Sequence, residues 1–338
     1  MTDQKSKIIK YFIVAAVVLL IMNVAINYKI KPAKEKAVNE LSIHQIENVF
    51  FKILDDYGIE KSWISSKKIK STDEDSIRVE YYVKLPADLP VPLIIKDMNK
   101  TIEKDITAFV SDEKKVYGAT EVRIYTNEIL KLKAMLIPDK ENIRKRNDLS
   151  FIISDALDLS SSNYKKFLSV YFPASALVVP SSDIEIKVDT LKNYMKEYAV
   201  YISDEIGDSE LKLDPSFQKQ ILRGSIGNII SDFKDAKLFI VDKKSKVFRS
   251  PVYNFVSDEF ERQGIILHTE SEFINLEAKE DSELISKFRF YCSDTTGSHQ
   301  KIFLINFDNF QKIFTEIERF KKKGNKIIPI SKTSFDRN

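Results

Sequence analysis

The residues of this chain best suited to chemistry are oxygen donors, and they recur where apolar runs end. Ser154, Asp155 and Asp158 follow the run at 149–153, and Ser203, Asp204 and Glu205 follow 198–202. Asp242, Lys243 and Lys244 follow 237–241, Thr269, Glu270 and Glu272 follow 264–267, and Asn306 and Asp308 follow 301–305. Grouped carboxylates can hold a hard divalent cation, and with hydroxyls and amides they can hydrogen-bond a sugar. The same residue types have a plainer use at such positions, accepting hydrogen bonds from the unpaired N–H groups that open a helix.

Other chemistries are excluded more firmly. The histidines are His44, His268 and His299, and no two stand at ligand spacing, which argues against a histidine-rich zinc site. Cys292 is the sole cysteine, so neither an intramolecular disulfide nor a cysteine-based zinc site can form. No serine has the G-x-S-x-G context of a nucleophile elbow. "RGSIG" at 223–227 falls inside a helical pattern set by Ile221, Leu222, Ile226, Ile229, Ile230 and Phe233.

The elements that must position these residues fall into two folded parts, as 338 residues suggest. The first, 38–138, reads as a small α+β domain. Its opening helix carries Leu41, Ile46, Val49, Phe50, Ile53, Leu54 and Tyr57 and stops at Gly58. A strand at 78–85 broken by "PADLP", a helix on Ile95, Met98, Ile102 and Ile106, and two strands joined by a turn at Asn127 and Glu128 complete it. A charged linker at 139–147 leads into the second part, 148–332, and 333–338 is a tail. Here strands at 149–153, 176–179, 198–202, 237–241, 264–267, 301–305 and 326–330 alternate with helices. That alternation predicts an α/β unit with a parallel sheet of about seven strands, whose ligands bind at the C-terminal strand ends.

Lysine and arginine number 53 against 50 acidic residues, a net charge of +3, so nothing points to nucleic acid. The one basic cluster, "RFKKK" at 319–323, reads as the last turn of a helix ended by Gly324. After a short tail (1–10), residues 11–28, "YFIVAAVVLLIMNVAINY", are apolar enough for one transmembrane anchor with interfacial tyrosines at both ends. A charged linker follows at 29–37. A cleaved signal peptide is the rival reading, but no small-x-small cleavage site is present. A short N-terminal tail before a large C-terminal part places the folded part outside the cytoplasm, in a periplasm or at the cell surface.

The order of elements from 148 to 332 resembles the divergent polysaccharide deacetylases, cell-envelope proteins with a distorted (β/α) barrel. The likeness rests on "FIISDALD" at 151–158, "FPASALVVPSSD" at 172–183, "YAVYISDEI" at 198–206, and "KIFLINFDNFQKIF" followed by "KIIPIS" at 301–331. The anchor and the domain containing "YYVKLPADLP" resemble the front part of many members. The resemblance implies a pair of aspartates after the first strand, of which Ser154 replaces the first and Asp155 keeps the second. It implies metal-binding histidines where Ser203 and Asn306 stand, and an asparagine–histidine motif where "VDKKS" stands at 241–245.

What the resemblance then implies is a barrel retained without its deacetylase machinery: a pseudoenzyme that binds glycan or peptidoglycan, or an envelope protein partner. Its binding rim would be Asp155, Asp158, Ser203, Asp242, Lys243, Asn306 and Asp308. An alternative is an active, metal-dependent deacetylase on oxygen ligands. In it Asp155, Asp204, Glu205 and Asp242 hold a divalent cation, and Ser154, Asp155, Glu270 or Glu272 supplies the catalytic group. A third is a structural envelope protein whose first domain carries the interaction.

Overall fold

The structure is a computed structural model that describes residues 41–70, 77–102, 108–116, 118–126, 128–294 and 299–334, together with 18, 19 and 22. Among the described residues no helix is long and apolar enough to cross a membrane. Apart from 18, 19 and 22, the span expected at 11–28 lies outside them, as do its flanks at 1–10 and 29–37. The chain divides into two compact units, Met1–Ile53 with Glu60–Asn142, and Leu54–Ile59 with Ile143–Asn338.

The first unit is α+β. Helix α1 is Ile43–Asp56, and α2 (Val91–Ile102) buries Ile94, Met98 and Ile102. The sheet comprises β1 (Ile64–Lys68), β2 (Val79–Pro86), β3 (Ala108–Glu113), β4 (Thr120–Thr126) and β5 (Ile129–Asp139), in the order β1-β2-β5-β4-β3. Only β2 and β5 are parallel. Strict alternation of buried and half-buried positions along β4 shows a sheet with one covered face. Glu128 takes the left-handed conformation (φ 66°) in the β4–β5 turn, while its expected partner Asn127 lies outside the described residues.

The second unit is α/β. Its strands are β6 (Asp148–Ile153), β7 (Ser175–Val178), β8 (Tyr198–Ile202), β9 (Leu238–Val241), β10 (Leu267–Thr269), β11 (Ile274–Asn275), β12 (Gln300–Ile305) and β13 (Lys326–Ile327). Between them lie α3 (Ser161–Leu168), α4 (Glu185–Asn193), α5 (Lys219–Asp232), α6 (Tyr253–Arg262), α7 (Asp281–Ser293), α8 (Phe307–Lys312) and α9 (Phe314–Lys322). Every pairing is parallel, and seven strands follow the path β10-β9-β8-β7-β6-β12-β11, curled into a half-barrel. Read as a circle, that path runs from β6 to β12 in chain order and returns to β6. It is consistent with a distorted (β/α) barrel left open at one seam, between β10 and β11.

The sequence dictates this sheet because its strands are apolar at consecutive positions. β7 and β9 are buried throughout, which requires cover on both faces. The outer face packs Phe151, Ile153, Val178, Val200, Phe239 and Phe303 against helix residues such as Phe167, Leu222, Phe260, Phe288 and Phe310. The inner face is smaller: Ile152, Leu177, Ala199, Leu238, Ile240, Ile302 and Leu304, joined among the described residues by Phe273 and Ile330 from outside the strands.

Ile330 arrives there by a route that was not legible in the sequence. The expected strand at 326–330 is a strand for two residues only and then crosses the N-terminal rim of the half-barrel. Ile328 N–H donates to the Leu149 carbonyl at 2.8 Å, and the Ser150 hydroxyl to the Ile328 carbonyl at 2.7 Å. Ser331 N–H donates to the Glu197 carboxylate at 3.0 Å, just before β8, and Ser334 N–H to Gln300 Oε1 at 2.6 Å, where β12 begins. The segment plugs the barrel floor. At its entry Gly324 ends α9 with φ 105°, and a Cβ there would meet Arg144 Nε at 2.9 Å.

One buried cation on this scaffold gives a pH signature. Lys196, between α4 and β8, is 8% exposed, with Nζ donating to the Val170 carbonyl at 2.7 Å. Burial pulls its ammonium down from 10.5 to about 8. Between those values the unfolded chain holds the extra proton, so raising the pH favours the fold. The stabilisation is complete above 10.5 and is lost as pH falls through about 8. Denaturant titrations should show stability rising across that window by more than in Lys196→Met. Equal pH slopes in the two proteins would refute it.

Candidate functional site

A cleft of about 180 Å³ opens where the strands end, lined by Ser154, Asp158, Leu177, Val179, Tyr201, Glu205, Glu270, Asn275, Glu277, Leu304, Ile305 and Asn306. Strand alternation explains the place of Ser154, Tyr201 and Asn306 in it, since successive side chains of a strand point to opposite faces. On β6, Ile152 belongs to the inner cluster and Phe151 and Ile153 to the outer one. Continuing the count puts Ser154 inside and Asp155 outside. By the same parity Tyr201 lies above Ala199, and Asn306 above Leu304. Leu177, Val179, Leu304 and Ile305 supply the apolar part of the lining.

Of the residues singled out from sequence, Ser154, Asp158, Glu205, Glu270 and Asn306 are thus brought to one cleft. Asp155, Ser203, Asp204, Asp242, Lys243, Glu272 and Asp308 are not among its lining residues, and most have visible local uses. Asp155 Oδ1 accepts from Phe307 N–H at 2.7 Å, so it caps the start of α8. Asp204 accepts from Lys246 N–H at 3.0 Å, and Asp242 from Lys244 N–H at 2.7 Å. The Ser203 hydroxyl accepts from Glu205 N–H at 3.3 Å. Lys243 offers its carbonyl to Arg249 Nε at 3.2 Å, and Asp308 lies in the first turn of α8, where a carboxylate suits the helix dipole. Asn306 serves twice, lining the cleft while its Oδ1 accepts from Asn309 N–H at 2.8 Å as the N-cap.

Glu272 is held as firmly. It accepts from Thr269 N–H at 2.7 Å and stands 2.8 Å from His268 Nδ1, completing a capping box on the turn Glu270–Glu272. Burial alone would raise its carboxyl pKa, but the Thr269 N–H and the His268 ring outweigh that and hold it below the usual range.

Tyr201 is the cleft residue that sequence reading missed, because it sits within an apolar strand pattern. Its hydroxyl donates to Glu270 Oε2 at 3.4 Å. Burial first, then the charges of Glu270, Asp242 and Glu205, push the phenol far above its ordinary range, so it stays a hydrogen-bond donor. Asn275 and Glu277 were missed as well, since β11 is two residues long and leaves no apolar run to read. The signal that could have found Tyr201 is parity: it is the last inward position of β8 before polar Ser203.

As chemistry, the cleft offers hydroxyls, amides, four carboxylates and one aromatic ring, and no lysine or arginine lines it among the described residues. Nor does any group of three or more His, Cys, Asp or Glu among the described residues stand close enough to hold a metal ion. The carboxylates weighed as ligands, Asp155, Asp204, Glu205 and Asp242, are therefore not gathered into one coordination site.

No family model and no curated protein matches the sequence. Among solved structures, the chain is similar to that of a mutant of a CE4 family pseudoenzyme with restored enzymatic activity, with a TM-score of 0.38 and 10% identity. The overlay covers 68% of this chain and 94% of that one.

Proposed function

We propose that this is a membrane-anchored cell-envelope protein whose second unit is a divergent polysaccharide deacetylase-like barrel that binds glycan at its strand-end cleft without deacetylating it. The observation that carries the reading is the division of labour among the loop residues. Asp155, Asp204 and Glu272 accept bonds from backbone N–H groups, while Ser154, Tyr201, Glu205, Glu270, Asn275 and Asn306 face the cleft. Amide hydrolysis builds negative charge on the carbonyl oxygen and needs a positive group or preorganised donors to meet it. A cleft walled by carboxylates opposes that charge. Hydroxyl and amide groups around a tyrosine ring, beside apolar walls, suit the alternating polar edges and apolar faces of a sugar.

The test is calorimetric titration of the full chain with chitooligosaccharides, alongside an acetate-release assay with added divalent metals. Wild type should bind and release no acetate, and Tyr201→Ala should bind about tenfold more weakly. Asp155→Ala should bind as wild type does but lose about 0.5–2 kcal/mol of stability, the usual range for a missing cap. Metal-dependent acetate release that disappears in Asp155→Ala would overturn the reading.

A further inference from the structure

A second cavity, of about 320 Å³, opens elsewhere on the barrel unit and differs from the cleft in chemistry. Val170, Tyr171, Phe307, Phe310 and Phe314 supply its apolar walls, and Lys166, Ser169 and Gln311 the remainder. Exposure orders these residues by depth: Phe307 and Phe310 are 1% and 0% exposed and form the floor, whereas Lys166, Ser169 and Gln311 are exposed and form the mouth. The floor rings are held in the outer core, Phe310 lying 5.4 Å from Phe151 and 6.0 Å from Phe172 by ring centroids. They cannot collapse to fill the space without disturbing that stack. Its volume is near the lower end, about 300 Å³, of typical small-molecule sites, and its apolar depth with a few polar groups at the mouth matches their usual make-up.

Among the residues that line the cavity the charged side chain is a cation, Lys166. Lys166 contributes an ammonium, whose Nζ also donates to Asn163 Oδ1 at 3.4 Å, and Lys321 places a second on the Tyr171 ring. Lys321 Nζ lies 4.4 Å from the Tyr171 ring centroid and donates to its hydroxyl at 3.0 Å. Burial opposes the Lys321 charge, but the Tyr171 hydroxyl and the Glu318 carboxylate outweigh it and keep the ammonium protonated. Glu318, the acidic group of this cluster, is itself engaged by the Tyr171 hydroxyl and by Lys321. Tyr171 is 66% exposed although its ring borders the core, a position that suits contact with something outside the chain. Lys166 also complements the C-terminal dipole of α3, as Lys165 does, but of the two only Lys166 lines the cavity.

We infer that this cavity binds an anionic amphiphile, its aliphatic chain laid on Val170, Phe307, Phe310 and Phe314 and its acidic head at the Lys166 ammonium on the mouth. A neutral sugar would leave its hydroxyls unpaired against phenyl rings, and a cationic amphiphile would meet like charge at the mouth.

Decanoate, below its micelle concentration, is the probe, titrated into the full chain by calorimetry beside decanol and decylammonium. Decanoate should saturate a single site, with decanol weaker and decylammonium not binding. Lys166→Glu should weaken decanoate about tenfold. Gln311→Trp, which lays an indole across the mouth, should weaken all tails alike. Both side chains are exposed, so unchanged circular dichroism and melting will show that the fold is intact. The inference is overturned if decanoate shows no saturable site, if Lys166→Glu binds it as tightly as wild type, or if decylammonium binds equally well.

Discussion

Ile330→Ala should be among the most destabilising single changes in the second unit, costing about 2–4 kcal/mol. The side chain is 1% exposed and, among the described residues, one of two in the inner cluster that no strand supplies. Its loss removes more than contact area. The neighbouring hydrogen bonds, Ile328 N–H to Leu149 and Ser331 N–H to Glu197, hold the plug across the barrel floor only while the floor has something to seat against. A cavity there cannot be closed by the strands, which are fixed by their parallel ladder, so the cost should include a cavity term beyond the lost transfer free energy. Urea denaturation followed by far-ultraviolet circular dichroism is the right measurement, since the sole tryptophan, Trp63, belongs to the first unit. A loss below about 1 kcal/mol would mean that the plug contributes little to the barrel.

Phe310→Ala should cost about 3–5 kcal/mol, the usual range for deleting a fully buried aromatic ring. Phe310 is 0% exposed and its ring meets those of Phe151, Phe172, Phe307 and Phe314. It therefore ties the first strand of the barrel unit to the last two helices and to the loop after α3. Phe290 is the control: it is the same residue type but 67% exposed, and Phe290→Ala should change stability by no more than about 0.5 kcal/mol. Equal effects in the two variants would show that the aromatic stack is not where the second unit draws its stability.

How far the sequence could be read follows from what each segment buries. The strands at 149–153, 198–202 and 301–305 were legible to within a residue because both faces are covered and the apolar run has no gaps. The run "GIIL" misled, being read as a strand at 264–267 where β10 begins at Leu267. Gly264 (φ 77°) and Ile265 instead close α6, with Ile265 N–H donating to the Phe260 carbonyl at 3.0 Å. Two strands of the first unit escaped notice: β1, "ISSKK", is mostly exposed and polar, and β3 sits at the opposite sheet edge. "RGSIG" is helical as expected, within α5, and Gly324 ends its helix as expected.

For the cleft the limit was different. The rim of oxygen donors was legible as a list, but whether a donor faces the cleft or the backbone is settled by strand parity and by which helix starts nearby. Ser154 and Asp155 are adjacent in sequence and opposite in use. Tyr201, an apolar ring in an apolar run, gave no polar signal until its inward position and its carboxylate neighbours were known.

The two end strands of the half-barrel sheet, β10 and β11, have a consequence for how copies of this protein behave in a crowded solution. An opened barrel exposes two strand edges, and unpaired edges recruit strands from other molecules. Here both edges are short, three residues in β10 and two in β11. One β10 donor is also used: Thr269 N–H bonds the Glu272 carboxylate at 2.7 Å. A foreign strand laid along the seam would find few partners in register. Short edges, with Thr269 N–H already held in the capping box, leave a foreign strand little to pair with and so disfavour edge-to-edge association.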